Sequence, residues 1–529
     1  MKLFYKRQLQ TEDWVEGVAF DTKDCLLRGQ TLSKHFSSFC DLEGFAECCN
    51  RLNGSWRAVL NRPCGVYLAV DHRTTYSLYY RLVGGELFVS DNGFDLLLPQ
   101  ETTVCPDWEE EVFFSRWGFT SFSNTLHPHI KRVEAGCAVC ISSSGEEFVS
   151  RYDTGFCLLP EKKLLDYNSA KREVAQAIDK AMERMCRVVE GEHLLLPLTG
   201  GRDSRMIAVA LKLNGIQEVE CFSYGRDCSI PDAVKAGVVA RRLGFPHRFL
   251  SSLPPEYGES SYTEDPEAMR FLRYVSGLGS GYFFAEYYPA LLLSQENEGR
   301  LPTVLPGHNG DILGGDNLFY SIFLRAANKA EFIRFLSRHE SGNRLLSRQE
   351  NRLLLSRLES IIATYPEGLD TVEYFEMFRN REIAAKYYIN SSRSWQYFGF
   401  PVWMPFLDRD LINLMHSLPL EYRWCKRLYE EVTDEYFRRC DVSLPSDTRS
   451  LELFNRFEAR LKRRIRPFLS SWLLRRNRLW KGDCIGFDLL MKGRILEQVK
   501  AETHYRPTTA NGLSFAWWLL SLQNGRALL

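Results

Sequence analysis

Leu194-Leu195-Leu196-Pro197-Leu198-Thr199-Gly200-Gly201-Arg202-Asp203-Ser204 is the stretch on which the fold turns. An apolar run ends in a glycine pair, and Met206, Ile207, Val209, Ala210 and Leu213 follow at helical spacing. This pattern predicts strand, tight turn and helix. Paired glycines let backbone approach a phosphate closely, and the next helix N-terminus offers free N–H groups and a partial positive charge. Thr199 and Ser204 add hydroxyl donors at the two ends of the turn. Asp203 would repel a bare phosphate, so it makes sense with a magnesium ion between carboxylate and phosphates. No Gly-Lys-Ser/Thr follows, so this is not a Walker loop. Taken alone, the segment also reads as a plain strand-to-helix turn capped by Asp or Ser.

The flanking sequence repeats the pattern. A helical periodicity runs from Asn168 through Ala170, Val174, Ile178 and Ala181 into the apolar strand. Downstream, residues 218–224 predict a second strand and 232–243 a second helix stopped by Gly244. A third strand at 303–305 ends in another glycine-rich turn. Alternating strands and helices predict an α/β fold with a parallel sheet, whose ligands bind beyond the carboxyl ends of the strands. The first ~155 residues differ. Short alternating runs at 66–70, 76–80 and 86–90, broken by Gly84-Gly85 and Asp91-Asn92-Gly93, predict β structure. The boundary falls within 155–165, giving units of 1–158 and 159–529.

Composition narrows the partners. With 529 residues the chain exceeds a single core. Lys plus Arg equals Asp plus Glu at 67 each, which points to no nucleic acid or other polyanion. Fifteen cysteines are scattered without a repeating spacing, and Cys137 and Cys140 fall in an alternating stretch that reads as a strand rather than half a zinc site. The opening Met1-Lys2-Leu3-Phe4-Tyr5-Lys6-Arg7 has no apolar signal core, and no apolar run could span a bilayer, so the cytoplasm is expected. Residues 456–481 hold ten Lys/Arg against one acid, Glu458, with Phe457, Leu461, Ile465, Phe468 and Trp472 at helical spacing. Two readings stay open there: a packed helix with a solvated basic face, and peripheral contact with an anionic membrane.

Four segments in order give the phosphate loop a context. Leu198 to Ser204 resembles the Ser-Gly-Gly-x-Asp-Ser loop of ATP pyrophosphatases, with Thr199 in the first position. Phe222-Ser223-Tyr224-Gly225 with Asp232, Ala236, Ala240 and His247 is similar to the second unit of asparagine synthetases. Pro306-Gly307-His308-Asn309-Gly310-Asp311-Ile312-Leu313-Gly314-Gly315 resembles their Gly-Glu-Gly-x-Asp-Glu-x-x-Gly-Gly segment, and Met404-Pro405-Phe406-Leu407-Asp408 their Pro-Phe-Leu-Asp element. Leu418-Pro419 and Lys426-Arg427-Leu428-Tyr429 follow. Residues 51–56, 71–80 and 88–91 are similar to the glutaminase domain of those enzymes.

The resemblance implies an N-terminal glutaminase-like α+β sandwich and a Rossmann-like ATP pyrophosphatase domain with a helical C-terminal part. It implies that Leu198, Thr199, Gly200, Gly201, Asp203 and Ser204 grip the ATP phosphates and that Phe222, Ser223, Pro306 and Gly307 line the adenosine pocket. It further implies that Asp203 and Asp311 hold Mg2+, and that Lys426 stabilises the transition state and departing pyrophosphate. Both carboxylates fall just past strand ends, where phosphoryl chemistry needs a cation. Arg393 in Asn390-Ser391-Ser392-Arg393 is a further candidate for gripping carboxylate or phosphate.

Two departures concern the acceptor. The glutaminase nucleophile of the family is an N-terminal cysteine, but Lys2 follows Met1 and the first cysteine is Cys25, so no glutamine hydrolysis is expected. His308 stands where asparagine synthetases carry a catalytic Glu, and Phe400-Pro401-Val402-Trp403 lacks the Glu and Arg usual before Pro-Phe-Leu-Asp. His308 could be a base or a neutral turn residue. The expected chemistry is ATP-dependent activation of a small-molecule or lipid-linked carboxylate for attack by ammonia or an amine. An intramolecular amide-forming cyclase and a non-catalytic ATP-binding scaffold are the alternatives. Proteins with this Gly-His-x-Gly-Asp turn resemble enzymes of surface-polysaccharide amidation, and a homodimer is compatible with the family.

Overall fold

The computed structural model describes residues 2–5, 8–9, 12–153, 160–258, 261–297, 299–315, 328–339, 346–444, 483, 485–505, 507 and 509–528. The basic segment 456–481 lies outside the described residues. Among the described residues no helix is long and apolar enough to cross a membrane.

Among the described residues, eleven strands build two sheets in the N-terminal part. They are β1 (Lys2–Tyr5), β2 (Gln8–Leu9), β3 (Trp14–Phe20), β4 (Leu26–Arg28), β5 (Asn53–Arg62), β6 (Gly65–Val70), β7 (Tyr79–Val83), β8 (Glu86–Ser90), β9 (Lys131–Arg132), β10 (Cys137–Ser142) and β11 (Glu147–Arg151). One sheet has the order β2-β1-β8-β7-β9, the other β11-β10-β6-β5-β3-β4. Alternation decides which side chains meet. Val66, Leu68 and Val70 of β6, with Val139 and Ile141 of β10, pack between the sheets against Leu87 and Val89. Tyr67, Ala69, Ala138 and Cys140 point the other way, onto the helices Gln30–His35 and Leu42–Asn50. Cys137 and Cys140, three apart on one strand, therefore face opposite sides.

The expected strand at 76–80 begins only at Tyr79. The preceding residues wind around the buried Asp71 carboxylate, which accepts bonds from the N–H groups of Trp56, Arg73 and Thr75. Thr74 is left-handed, at φ 57°, which ends any extended run.

Four parallel strands form the third sheet, in the order β14-β13-β12-β15: β12 (Leu194–Pro197), β13 (Val219–Gly225), β14 (His247–Ser251) and β15 (Thr303–Val304). Strand β14 is one more than the periodicity predicts, because His247-Arg248-Phe249 gives no apolar run. Helices cover both faces. Leu194, Leu196 and Leu198 meet the helices Tyr167–Val188, Arg202–Leu213 and Pro231–Leu243, while Leu195 and Phe222 meet Trp395 and Phe400. Asp166 caps the first of these helices through the N–H groups of Asn168 and Ser169, and Gly244 ends the third in the left-handed region at φ 77°.

Other helices of the C-terminal part share a core with the N-terminal part. Phe113, Phe114 and Trp117, from the helix Trp108–Trp117, pack with Phe378, Phe515 and Trp518. Gly118 is required there: a Cβ would lie 2.3 Å from the Phe515 ring.

Candidate active site

Backbone bonds set the phosphate loop at the end of β12. The Leu198 N–H donates to Phe222 O at 2.7 Å, and Ser223 Oγ donates to Leu198 O at 2.7 Å. Leu198 and Phe222 are fully buried, and these backbone groups are bonded within the sheet end, so both residues shape the turn from beneath. Inside the turn, the Thr199 N–H donates to Ser204 Oγ at 3.1 Å and the Gly201 N–H to Thr199 Oγ1 at 3.1 Å. These two hydroxyls therefore hold the loop open as well as edging it. No side chain caps the helix Arg202–Leu213, leaving its first N–H groups facing the loop. Lys235, from the next helix, lies against Gly200 so closely that a Cβ there would sit 2.5 Å from its Cδ. This lysine escapes sequence reading because its approach depends on the packing of two helices.

The segment after β15 interlocks with this loop through missing side chains. A Cβ on Gly307 would lie 2.7 Å from Ser204 N, and one on Gly310 would lie 2.3 Å from the Asp203 carboxyl carbon. The Asp311 N–H donates to Asp203 Oδ2 at 2.7 Å, and Lys426 Nζ donates to Asp311 Oδ1 at 2.9 Å. Tyr429 Oη donates to Asp203 Oδ1 at 2.8 Å, a partner given by the fold alone. Burial, and then the charge of Asp311, push the Asp203 carboxyl up to about 8, against the opposing pull of Tyr429, the Asp311 N–H and Lys426. Lys426 ends the 3-10 turn Trp424–Lys426. It precedes the helix Arg427–Arg439 at φ 60°, next to Cys425 at φ 50°. With Asn309 at φ 79°, three non-glycine residues in the left-handed region flank the cluster, each costing of order 1–3 kcal/mol.

His308 lies beside Gly307, and its Nε2 is 2.9 Å from Ser391 Oγ. Ser391 Oγ gives its one proton to Tyr388 O at 2.8 Å, so it accepts from His308 Nε2–H, and Nδ1 keeps a bare lone pair. Nδ1 has no partner among the described residues. Burial pulls the ring down to about 4, which keeps it neutral near pH 7.

Arg393 does not join these residues. Its guanidinium is buried, donates to Tyr274 O and to Asp91 O at 3.0 Å, and stacks 4.2 Å from the Tyr274 ring centre. It corrects the sequence expectation of a substrate-gripping cation, since the side chain is buried and its Nε and Nη2 are bonded to carbonyls of both units. Two residues earlier, Ser391 faces His308, so Arg393 anchors the turn Ile389–Ser392. Asp408 is also structural. It caps the helix Arg409–Ser417, pairs with Arg184 at 2.6 Å and accepts from Asn53 Nδ2 at 3.1 Å.

Among the described residues no group of three His, Cys, Asp or Glu forms a metal cage. Two acids in the first turns of separate helices, Arg202–Leu213 and Gly310–Gly314, nevertheless fit a magnesium ion that takes its other ligands from phosphate oxygens and water. Burial first, and the nearby Asp311 second, raise Asp203, and a bound cation would offset both.

No curated protein matches the chain. The family described as asparagine synthase matches residues 173–440, which include β12 to β15, both interlocked loops and Lys426. The chain therefore belongs to the asparagine synthase family of ATP-dependent, amide-forming ligases, on the synthetase fold whose phosphate loop and parallel sheet are described above.

Proposed function

We propose that the chain activates a carboxylate with magnesium-ATP and transfers the acyl group to nitrogen. A carboxylate oxygen attacks the α-phosphorus, the bond to pyrophosphate breaks, and an acyl-adenylate remains. Nitrogen then attacks the acyl carbon, the carbon–oxygen bond to AMP breaks, and the departing proton passes to His308 Nδ1. The observation that supports this most is the meeting of Asp203, Asp311 and Lys426 just beyond the strand ends. Magnesium held by the two acids would spread the charge of the leaving pyrophosphate. The Gly200-Gly201 turn and the uncapped helix N-terminus bind phosphate oxygens, and Lys426 steadies the leaving group.

The nitrogen is ammonia or an amine rather than glutamine. Cys25 lies in a turn between β3 and β4, where its backbone nitrogen is an amide donating to Asp21 Oδ1 at 2.8 Å, not a free amine able to act as a base. The acid is a small or lipid-linked molecule, with a sugar acid of a surface polysaccharide as the leading candidate. The protein works in the cytoplasm. Magnesium-dependent exchange of labelled pyrophosphate into ATP, driven by a panel of acids, tests the reading, and silence across the panel would leave only an ATP-binding scaffold. Product mass separates amidation, which replaces OH by NH2, from cyclisation, which loses water.

A further inference from the structure

The helix Arg427–Arg439 is latched to the helix Arg202–Leu213 by three side chains. Arg202 donates to Asp434 Oδ1 at 2.6 Å and to Thr433 Oγ1 at 3.1 Å. Arg205 donates to Val442 O, just past the helix, at 3.2 Å and stacks 4.1 Å from the Phe437 ring centre. Between these two arginines stands Asp203, the partner of Tyr429. Tyr429 is 2% exposed and cannot swing. Its ring meets that of Phe406 edge-on, with centres 6.3 Å apart, and a Cβ on Gly314 would lie 2.8 Å from its Cδ1. Packing of this kind accounts for an aromatic ring but not for its hydroxyl, since phenylalanine would fill the same space. The hydroxyl has its own use: it gives its proton to Asp203 Oδ1 at 2.8 Å.

What that bond does follows from the carboxylate it reaches. Asp203 Oδ2 accepts from the Asp311 N–H at 2.7 Å, so each oxygen holds a donor of its own. Gly310 closes against the same group, where a Cβ would lie 2.5 Å from Oδ1 and 2.6 Å from Oδ2. Turning the carboxylate about its Cβ–Cγ bond would give up both hydrogen bonds at once. Asp311 is held differently. Its side chain is 56% exposed, and its partner is the long, flexible side chain of Lys426. The two acids that fit the magnesium ion are thus one aimed in advance and one able to adjust. A ligand aimed in advance loses less freedom when the ion arrives, and a donor behind a metal-binding carboxylate commonly changes affinity by about 10–100-fold.

We infer that Tyr429 is a positioning residue of the magnesium site: its hydroxyl keeps the Asp203 carboxylate aimed at the ion that accompanies ATP. This rests on the magnesium-ATP reading above, and measurements on the full chain separate the two. In thermal unfolding at fixed ATP and ionic strength, added magnesium chloride should raise the midpoint of wild type. Tyr429→Phe should need roughly tenfold more magnesium for half of that increment and should reach the same plateau. Asp434→Asn, which loosens the helix without touching Asp203, should need the wild-type amount to within about twofold. An unchanged requirement in Tyr429→Phe, an equal rise in Asp434→Asn, or no increment in wild type would overturn the inference. In pyrophosphate exchange, excess magnesium should bring Tyr429→Phe back to within about threefold of wild type. A deficit that excess magnesium leaves in place would mark a purely structural hydroxyl and overturn the inference. Exchange silent with every acid counts against the ligase, while the thermal titration still decides Tyr429.

Discussion

At the nucleotide end of the site Asp203, Asp311, Lys426 and Tyr429 bond to one another, whereas at the acceptor end His308 Nδ1 has no partner among the described residues. The first end is complete before its ligand arrives, and its glycines are required by contact. The second keeps hydrogen-bonding capacity in reserve. A fixed ligand favours interlocked loops, and a changed one favours new residues on the opposite wall.

The largest test is at the interlocked end. Asp203→Asn, Asp311→Asn and Gly310→Ala, the last placing a methyl against the Asp203 carboxylate, should each lower pyrophosphate exchange by roughly 10³-fold. Normal exchange in Gly310→Ala would show that the interlock is dispensable.

His308→Ala probes the open end. Amide formation should fall by roughly 10²-fold while pyrophosphate exchange stays within about threefold, as the proposed mechanism uses the ring only after adenylation. Since burial holds this imidazole near 4, it stays unprotonated between about pH 5.5 and 8 and should add no inflection to nitrogen transfer in that window. Its base form is lost only as pH falls towards the lowered value. An inflection near 6.5 that disappears in His308→Ala would contradict the burial argument.

Smaller effects test what supports the two ends. Arg393→Ala leaves Tyr274 O and Asp91 O without a donor and should cost about 2–4 kcal/mol in urea unfolding. Lysine should not rescue it, since one ammonium cannot copy the fork and the stacking. Asn53→Ala removes bonds to Asp408 and to the Arg409 N–H and should cost only about 1 kcal/mol, with exchange unchanged.

Sequence reading reached the interlocked end far better than the open one. The strand-turn-helix units, Gly200-Gly201, and the run from Gly307 to Asp311 are local patterns, written where the chain itself must bend or approach. Tyr429 and Lys235 have no such signature, because each gains its neighbour from a distant element. Arg393 shows the same limit from the other side: the sequence supplies a cation near a motif, but the acceptors that use up its donors lie at Asp91 and Tyr274. Strand β14 was missed because its alternating polar residues lie at a sheet edge.

The aromatic core shared between the helix Trp108–Trp117 and the C-terminal helix Ala510–Gln523 makes the two halves of this protein poor candidates for separation. Cutting at residue 158 would strip Phe113, Phe114 and Trp117 from around Phe515 and Trp518, baring large apolar side chains on both products. Each fragment should be insoluble alone, whatever chemistry the first one performs. The N-terminal part thus doubles as a wall against which the C-terminal helices are built.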